Sequence, residues 1–171
     1  MHLTIPMSDN DHIRGNVNAP VTLVEYGDFE CRDCGDAYSI IKKLQKIEGN
    51  NMKFAFRNFP MSEIHPHAFH ASCAAEAAGK QGKFWEMYDL LFENQEALHD
   101  QDLLAYAKTL NLEIGNFKKD IISKEINKKV KDDFMSGIRS GVNGTPTIYI
   151  NGRRFDEECE LDLLRKAVES V

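Results

Sequence analysis

Two cysteines two residues apart, Cys31 and Cys34, are the side chains of this sequence best suited to do chemistry. They stand where an apolar run, Val21-Thr22-Leu23-Val24-Glu25-Tyr26, gives way to a turn and then to a segment of helical spacing. A helix start presents unpaired N–H groups and a partial positive charge, and both favour a thiolate over a thiol. The thiolate is the nucleophile of disulfide exchange. The spacing therefore assigns the attack to Cys31, and assigns to Cys34, one helical turn further in, the resolution of the mixed disulfide. The pair could instead be half of a zinc site. Zinc normally takes four ligands, however, and the chain has no second C-x-x-C.

Other residues bear on the same chemistry. Glu25 stands six residues before Cys31 in an apolar strand; a carboxyl there has a raised pKa and can exchange a proton with Cys34 during resolution. Its bland alternative is a surface glutamate at a strand end. Gly144-Thr145-Pro146 precedes a second apolar run, and a proline there belongs at a strand's start or edge. Either the bond is an ordinary trans one, or a cis Thr145–Pro146 bond frees the backbone of Thr145 to hold an extended substrate. Between the cysteines, Arg32 favours the thiolate and Asp33 opposes it, which leaves the direction of electron flow open.

His65, His67 and His70, with Cys73, form the one cluster that suggests a metal; alternatively the histidines line a groove or face water. Cys73 and Cys159 read as inert thiols, Trp85 as core, and Asp156-Glu157-Glu158 as a solvated turn.

The elements that must hold these residues follow from the patterning. Residues 1–18 read as an irregular lead-in. A strand over 21–26, a helix over 37–47 ended by Gly49, and a strand over 52–59 stopped by Pro60 make a βαβ unit. From 61 to 141 the pattern is helical only, with apolar stripes such as Phe84, Met87, Tyr88, Leu91 and Ile126, Val130, Phe134, Ile138. Thr147-Ile148-Tyr149-Ile150, the turn Asn151-Gly152 and Arg153-Arg154-Phe155 make a hairpin, and Leu161, Leu164 and Val168 mark a last helix.

Bulk properties set outer limits. The 171 residues suffice for one well-buried core, and a net charge of -6 argues against a nucleic-acid partner. No stretch approaches the roughly 18–20 apolar residues of a membrane span. The polar start shows no secretory signal, so the expected compartment is the cytoplasm, or the periplasm if a signal was removed. Four cysteines with one close pair do not make a disulfide-stapled scaffold.

The Cys31-Arg32-Asp33-Cys34 motif after a strand, the helical insertion and Gly144-Thr145-Pro146-Thr147 together resemble the DsbA-like branch of the thioredoxin superfamily. The segments from Val21 to Cys31 and Gly82-Lys83-Phe84-Trp85 are also similar to those of bacterial members, and the resemblance runs from about Val17 onward. It implies an α/β thioredoxin-like fold, a central mixed sheet flanked by helices, with residues 17–60 and 142–171 as the redox domain and 61–141 as an inserted all-helical domain. It implies thiol–disulfide oxidoreductase activity on protein or peptide substrates, with Cys31, Cys34 and Glu25 catalytic. Pro146 is then cis, and Thr145 with Pro146 docks the substrate backbone.

No cofactor or metal is called for, because the cysteine pair carries both electrons. A redox recycling partner of unidentified nature is expected. The rival readings are a non-catalytic redox sensor or peptide-binding module of the same fold, and a metal site built from Cys31, Cys34 and the His67 cluster.

Overall fold

The strand Val21–Gly27 is apolar on both faces because both are covered. The computed structural model describes residues 1–171, and in it this strand (β2) has every residue but Thr22 buried. It pairs in parallel with Met52–Asn58 (β3) and antiparallel with Thr147–Ile150 (β4). Arg153–Phe155 (β5) returns along β4 through Asn151 and Gly152, both at positive φ, as a tight hairpin turn demands. His12–Gly15 (β1) pairs antiparallel with the far side of β3. The five strands are ordered β1-β3-β2-β4-β5.

Strand β1 lies in the lead-in expected to be irregular. Its residues carry little apolar signal, and it exists because β3 offers an unpaired edge. Such long-range pairing leaves no mark in local periodicity.

Helix α1 (Arg32–Glu48) is the crossover between β2 and β3; it buries Cys34, Ala37, Tyr38, Ile41 and Leu44, and Gly49 caps its end at φ 53°. Five helices separate β3 from β4: α2 (Ala68–Gly79), α3 (Phe84–Glu93), α4 (Asp100–Thr109), α5 (Ile114–Ile121) and α6 (Lys124–Ser140). Phe84, Met87, Tyr88 and Leu91 of α3 join Phe29, Phe54 and Phe56 in one continuous core, so the helical segment is packed onto the sheet. A last helix, α7 (Leu161–Glu169), lies against α1.

Alternation along β2 sorts its side chains. Leu23 faces the large core with Phe54, Phe56 and Ile148, while Val24 and Tyr26 face a smaller cluster with Ala55, Phe59 and Tyr149. Glu25, in step with Leu23, is therefore on the α1 side, beneath the cysteines.

The stripe expected down α6 needs correcting. Ile126 and Val130 are buried, but Ile138 is 46% exposed. A repeat of four drifts about 40° per step around a helix of 3.6 residues per turn. The face that meets the sheet passes instead through Asp133, Ser136, Gly137 and Ser140. Gly137 is needed there, since a Cβ would come within 2.7 Å of the Phe59 ring and 3.0 Å of Tyr26. Ile122 also lies out in solvent, 77% exposed, one residue past α5.

Candidate active site

Chain direction places the cysteines. β2 ends at Gly27, a short turn follows, and Cys31 is the N-cap of α1. The backbone N–H groups of Asp33 and Cys34 then point back at the Cys31 sulfur, as free N–H groups of a first helical turn do. Cys31 is 8% exposed and Cys34 is wholly buried, so only the first can meet an incoming disulfide. Both are free thiols.

The two sulfurs have opposite electrostatics. Cys31 is brought down to about 6, chiefly by a hydrogen bond from the Cys34 thiol, with Thr145 and the backbone of Cys34 and Asp33 acting the same way against burial. Burial pushes Cys34 well above the ordinary thiol range, and its bond to Cys31 and the charge of Glu25 add to that. At neutral pH one sulfur is an anion and the other keeps its proton.

Thr145 is brought to the pair from the far end of the sequence: the Cys31 thiol lies 3.4 Å from its carbonyl oxygen. The Thr145–Pro146 bond is cis. Glu25 is fully buried, with both carboxyl oxygens lacking a hydrogen-bond partner. Burial raises its carboxyl to about 8, and the charge on Cys31 adds to the shift. Cys31, Cys34, Thr145, Pro146 and Glu25 thus gather at one end of the sheet, although sequence separates them by more than a hundred residues.

Arg32 and Asp33 are exposed and make no ion pair, so the dipeptide contributes little beyond its backbone. The histidines do not converge. His65 Nδ1 bonds Asp28 at 2.8 Å, His67 Nδ1 bonds Glu30 at 2.8 Å, and His70 Nδ1 bonds Asp100 at 3.0 Å. Cys73 is buried, its thiol pushed up to about 12 by that burial, as is that of Cys159. No group of three or more Cys, His, Asp or Glu side chains is arranged to hold a metal ion.

Three residues of the site give no warning in the sequence. Gln95, just past α3, donates from Nε2 to the carbonyls of Phe29 and Cys31, both at 2.8 Å, and so clamps the turn that carries Cys31. Gly35 leaves room for it: a Cβ there would fall 2.2 Å from Gln95 Oε1 and displace the carboxamide. Asp28 accepts from the N–H of Glu30 and of Met61, each at 2.8 Å, and His65 comes with the second of these. The signal that could have found them, a polar side chain paired with an unsatisfied turn, needs coordinates to be seen.

Two grooves open near Thr145, which touches the first through the Met61 sulfur and lines the second. One, of about 590 Å³, is apolar and runs from Phe59 through Met61 and Ile64 to Phe134, Met135 and Ile138 of α6. The other, of about 610 Å³, is bounded by Pro146, Phe155 and Cys159 and by the carboxylates of Asp33, Asp36, Glu157 and Glu158.

A family profile described as Thioredoxin matches residues 7–170. Among curated proteins, the Na(+)/H(+) antiporter NhaA 1 of Salinispora arenicola is 41% identical over 170 residues, which is 99% of this chain and 26% of that protein. The chain thus spans about a quarter of the length of the curated relatives it matches. No helix here is long and apolar enough to cross a membrane. Among solved structures, BdbD from Bacillus subtilis, in its oxidised form, superposes with a TM-score of 0.84 at 26% identity, covering 96% of this chain and 94% of that one. A thioredoxin-like oxidoreductase from Silicibacter pomeroyi superposes with a TM-score of 0.86 at 23% identity, over 95% of this chain and 92% of the other.

Proposed function

The chain belongs to the thioredoxin family, and from that premise we propose that it is a thiol–disulfide oxidoreductase acting on protein disulfides and dithiols. The observation that carries the reading is the split between the two sulfurs: an accessible one at about 6 and a sealed one held protonated above it.

The steps balance within the cysteine pair. The Cys31 thiolate attacks one sulfur of a substrate disulfide, forming a mixed disulfide and expelling a substrate thiolate. Cys34 then attacks Cys31 Sγ, closing the Cys31–Cys34 disulfide and releasing the second substrate sulfur. Two electrons pass from the pair to the substrate. In the reverse direction the pair returns as dithiol and the substrate leaves oxidised.

Before it attacks, Cys34 must lose its proton. Glu25, raised to about 8, is better matched to that thiol than an ordinary glutamate, and it has no other partner to hold its charge. Thr145 lies against the nucleophile, where an extended substrate segment adds as a short strand, its flanking side chains resting in the two grooves.

An attacking thiol at about 6 lies between the values of about 7 for thioredoxin and about 3.5 for DsbA. The expected reduction potential accordingly falls between about -270 and about -120 mV. Insulin reduction with a dithiol reductant tests the function. Cys31→Ser should abolish turnover, and Cys34→Ser should accumulate a covalent mixed disulfide. Turnover by either variant at the parent rate would refute the assignment, and stoichiometric oxidation without turnover would favour a sensor.

A further inference from the structure

Between β2 and α1 the chain makes a tight turn, Asp28-Phe29-Glu30-Cys31. Asp28 and Phe29 have no solvent exposure, so the backbone polar groups here must find partners inside the protein. The N–H groups find them within the turn: Glu30 donates to Asp28 Oδ1 at 2.8 Å, and Cys31 donates to the Asp28 carbonyl at 3.1 Å. The carbonyls are met from outside by one side chain. Gln95 Nε2 donates to those of Phe29 and Cys31, both at 2.8 Å, and the Cys31 carbonyl also takes the helical bond from the Gly35 N–H at 3.2 Å. A carboxamide nitrogen has two N–H bonds to give, and both are used.

Gln95 is itself held in place. In the short connection from α3 to α4, Asn94 Nδ2 donates to the Leu90 carbonyl at 2.8 Å, the Ala97 N–H to the Asn94 carbonyl at 2.9 Å, and the Tyr106 hydroxyl to the Ala97 carbonyl at 2.7 Å. On the other side of the carboxamide stands Gly35. It lies inside α1 and has no positive φ, so the backbone there does not call for glycine, and alanine is the better helix former. Space is what calls for it. The three atoms nearest to a Cβ at this position all belong to Gln95: Oε1 in collision, then Cδ at 3.0 Å and Nε2 at 3.4 Å.

The N-cap residue of α1 is Cys31, and its sulfur faces the N–H groups of Asp33 and Cys34, where a capping oxygen would otherwise stand. Its ψ of 123° sets the angle between its carbonyl and its side chain, so a donor fixed on the carbonyl also fixes the sulfur.

We propose that Gln95 is the positioning residue of the reactive sulfur: by holding these two carbonyls it keeps Cys31 Sγ at the mouth of α1, and position 35 is glycine to give the carboxamide its place. The proposal rests on the reading of Cys31 as the attacking sulfur. Without Gln95 the buried Phe29 carbonyl has no donor and must turn to find one, and the Cys31 peptide turns with it. The sulfur then leaves the N–H groups that favour its anion, and its line of approach to a disulfide is no longer set.

The pH profile of iodoacetamide alkylation at Cys31 tests this on the full-length reduced protein, read by peptide mass spectrometry so that Cys73 and Cys159 do not contribute. Gln95→Ala should move the Cys31 midpoint upward by about one pH unit, a roughly tenfold smaller thiolate fraction below the midpoint. Gly35→Ala, with Gln95 in place, should move it the same way, since the added methyl displaces the carboxamide while favouring the helix. Made in the Gln95→Ala background, Gly35→Ala should move it no further, because nothing is left to displace. An unchanged midpoint in Gln95→Ala would overturn the proposal, as would additive shifts in the double variant. Should Gln95→Ala not fold, Gly35→Ala decides by itself, and a midpoint at the parent value overturns the proposal.

Insulin reduction by the same proteins separates this from the enzymatic reading. Parent turnover with no shift in either variant removes the role of Gln95 alone. A shift in both variants without parent turnover removes the enzymatic reading and leaves the hold of Gln95 on the sulfur standing.

Discussion

Beneath the cysteines, the buried carboxyl of Glu25 has neither a hydrogen-bond donor nor a cation. At the junction of β1, β3, α2 and α6, the buried carboxyls of Glu76 and Asp133 have both. Glu76 accepts from His12 Nε2 and from Asn58 Nδ2, each at 2.7 Å; Asp133 accepts from Asn58 Nδ2 at 2.9 Å and from Lys129 Nζ at 2.6 Å. Burial pushes all three upward. His12 and its neighbours reverse the effect at Glu76 and bring it below the usual range; Lys129 opposes it at Asp133 without reversing it; no partner opposes it at Glu25. Two regions of one chain thus treat buried carboxyls differently. At the junction each carboxyl has partners, although the Oδ1 of the Asn58 that joins them has none; at Glu25 the carboxyl itself is the orphan, and an unpartnered titratable group is a candidate working group.

The largest effect that could break this contrast is on stability. Asp133→Ala leaves Lys129 without its buried partner, and should cost about 3–5 kcal/mol in urea unfolding. The alkylation midpoint of Cys31 should stay near 6 in that variant, because the network does not reach the cysteines.

Next in size is the pH dependence that Glu25 imposes. Its folded value of about 8 lies above its ordinary 4.5, so in this window the folded chain holds a proton that the unfolded chain has lost. Stability should therefore be fully present below the lower value, decline as pH rises, and level off above the upper one. The slope is at most about 1.4 kcal/mol per pH unit. Glu25→Gln should flatten that profile while slowing the resolving step about a hundredfold in a stopped-flow measurement. A steep profile surviving in the variant would assign the titration elsewhere.

The smallest effect sharpens the comparison from the satisfied side. Cys73, one turn before Glu76 on α2, is sealed and protonated. Cys73→Ala should leave insulin turnover within about twofold of the parent and cost only about 1 kcal/mol in thermal unfolding.

Much of this contrast could not be read from the chain alone. The C-x-x-C at a helix start, the Asn151-Gly152 hairpin and the α3 stripe are local, and local signals survive in sequence. The burial of Glu25 was legible as far as its apolar neighbours allowed. The partners of Asp28 and Glu30 lie 37 residues away on a loop, and those of Asp133 come from β3 and α6 itself. Three histidines spaced like metal ligands prove to be three separate carboxylate partners, since spacing says nothing about which anion each ring meets. The drift of α6 illustrates the same limit: its contact face is built of Ser and Gly, which hydrophobic periodicity does not register.

The lead segment has one more consequence. Leu3 donates to the Gly152 carbonyl, Arg154 donates to that of Met1, and His2 bridges Arg153, so the first residues line the β5 margin of the sheet. Arg57 then grips the carbonyls of Ile5 and Pro6 and the carboxylate of Asp11, and the segment emerges as β1 on the opposite margin, where the Trp85 indole takes up the Ile13 carbonyl. A visiting polypeptide thus finds one flank of the sheet already occupied and the other short and partly capped. On the proposed function, the berth left to it is the backbone at Thr145, whose carbonyl lies 3.4 Å from the Cys31 sulfur.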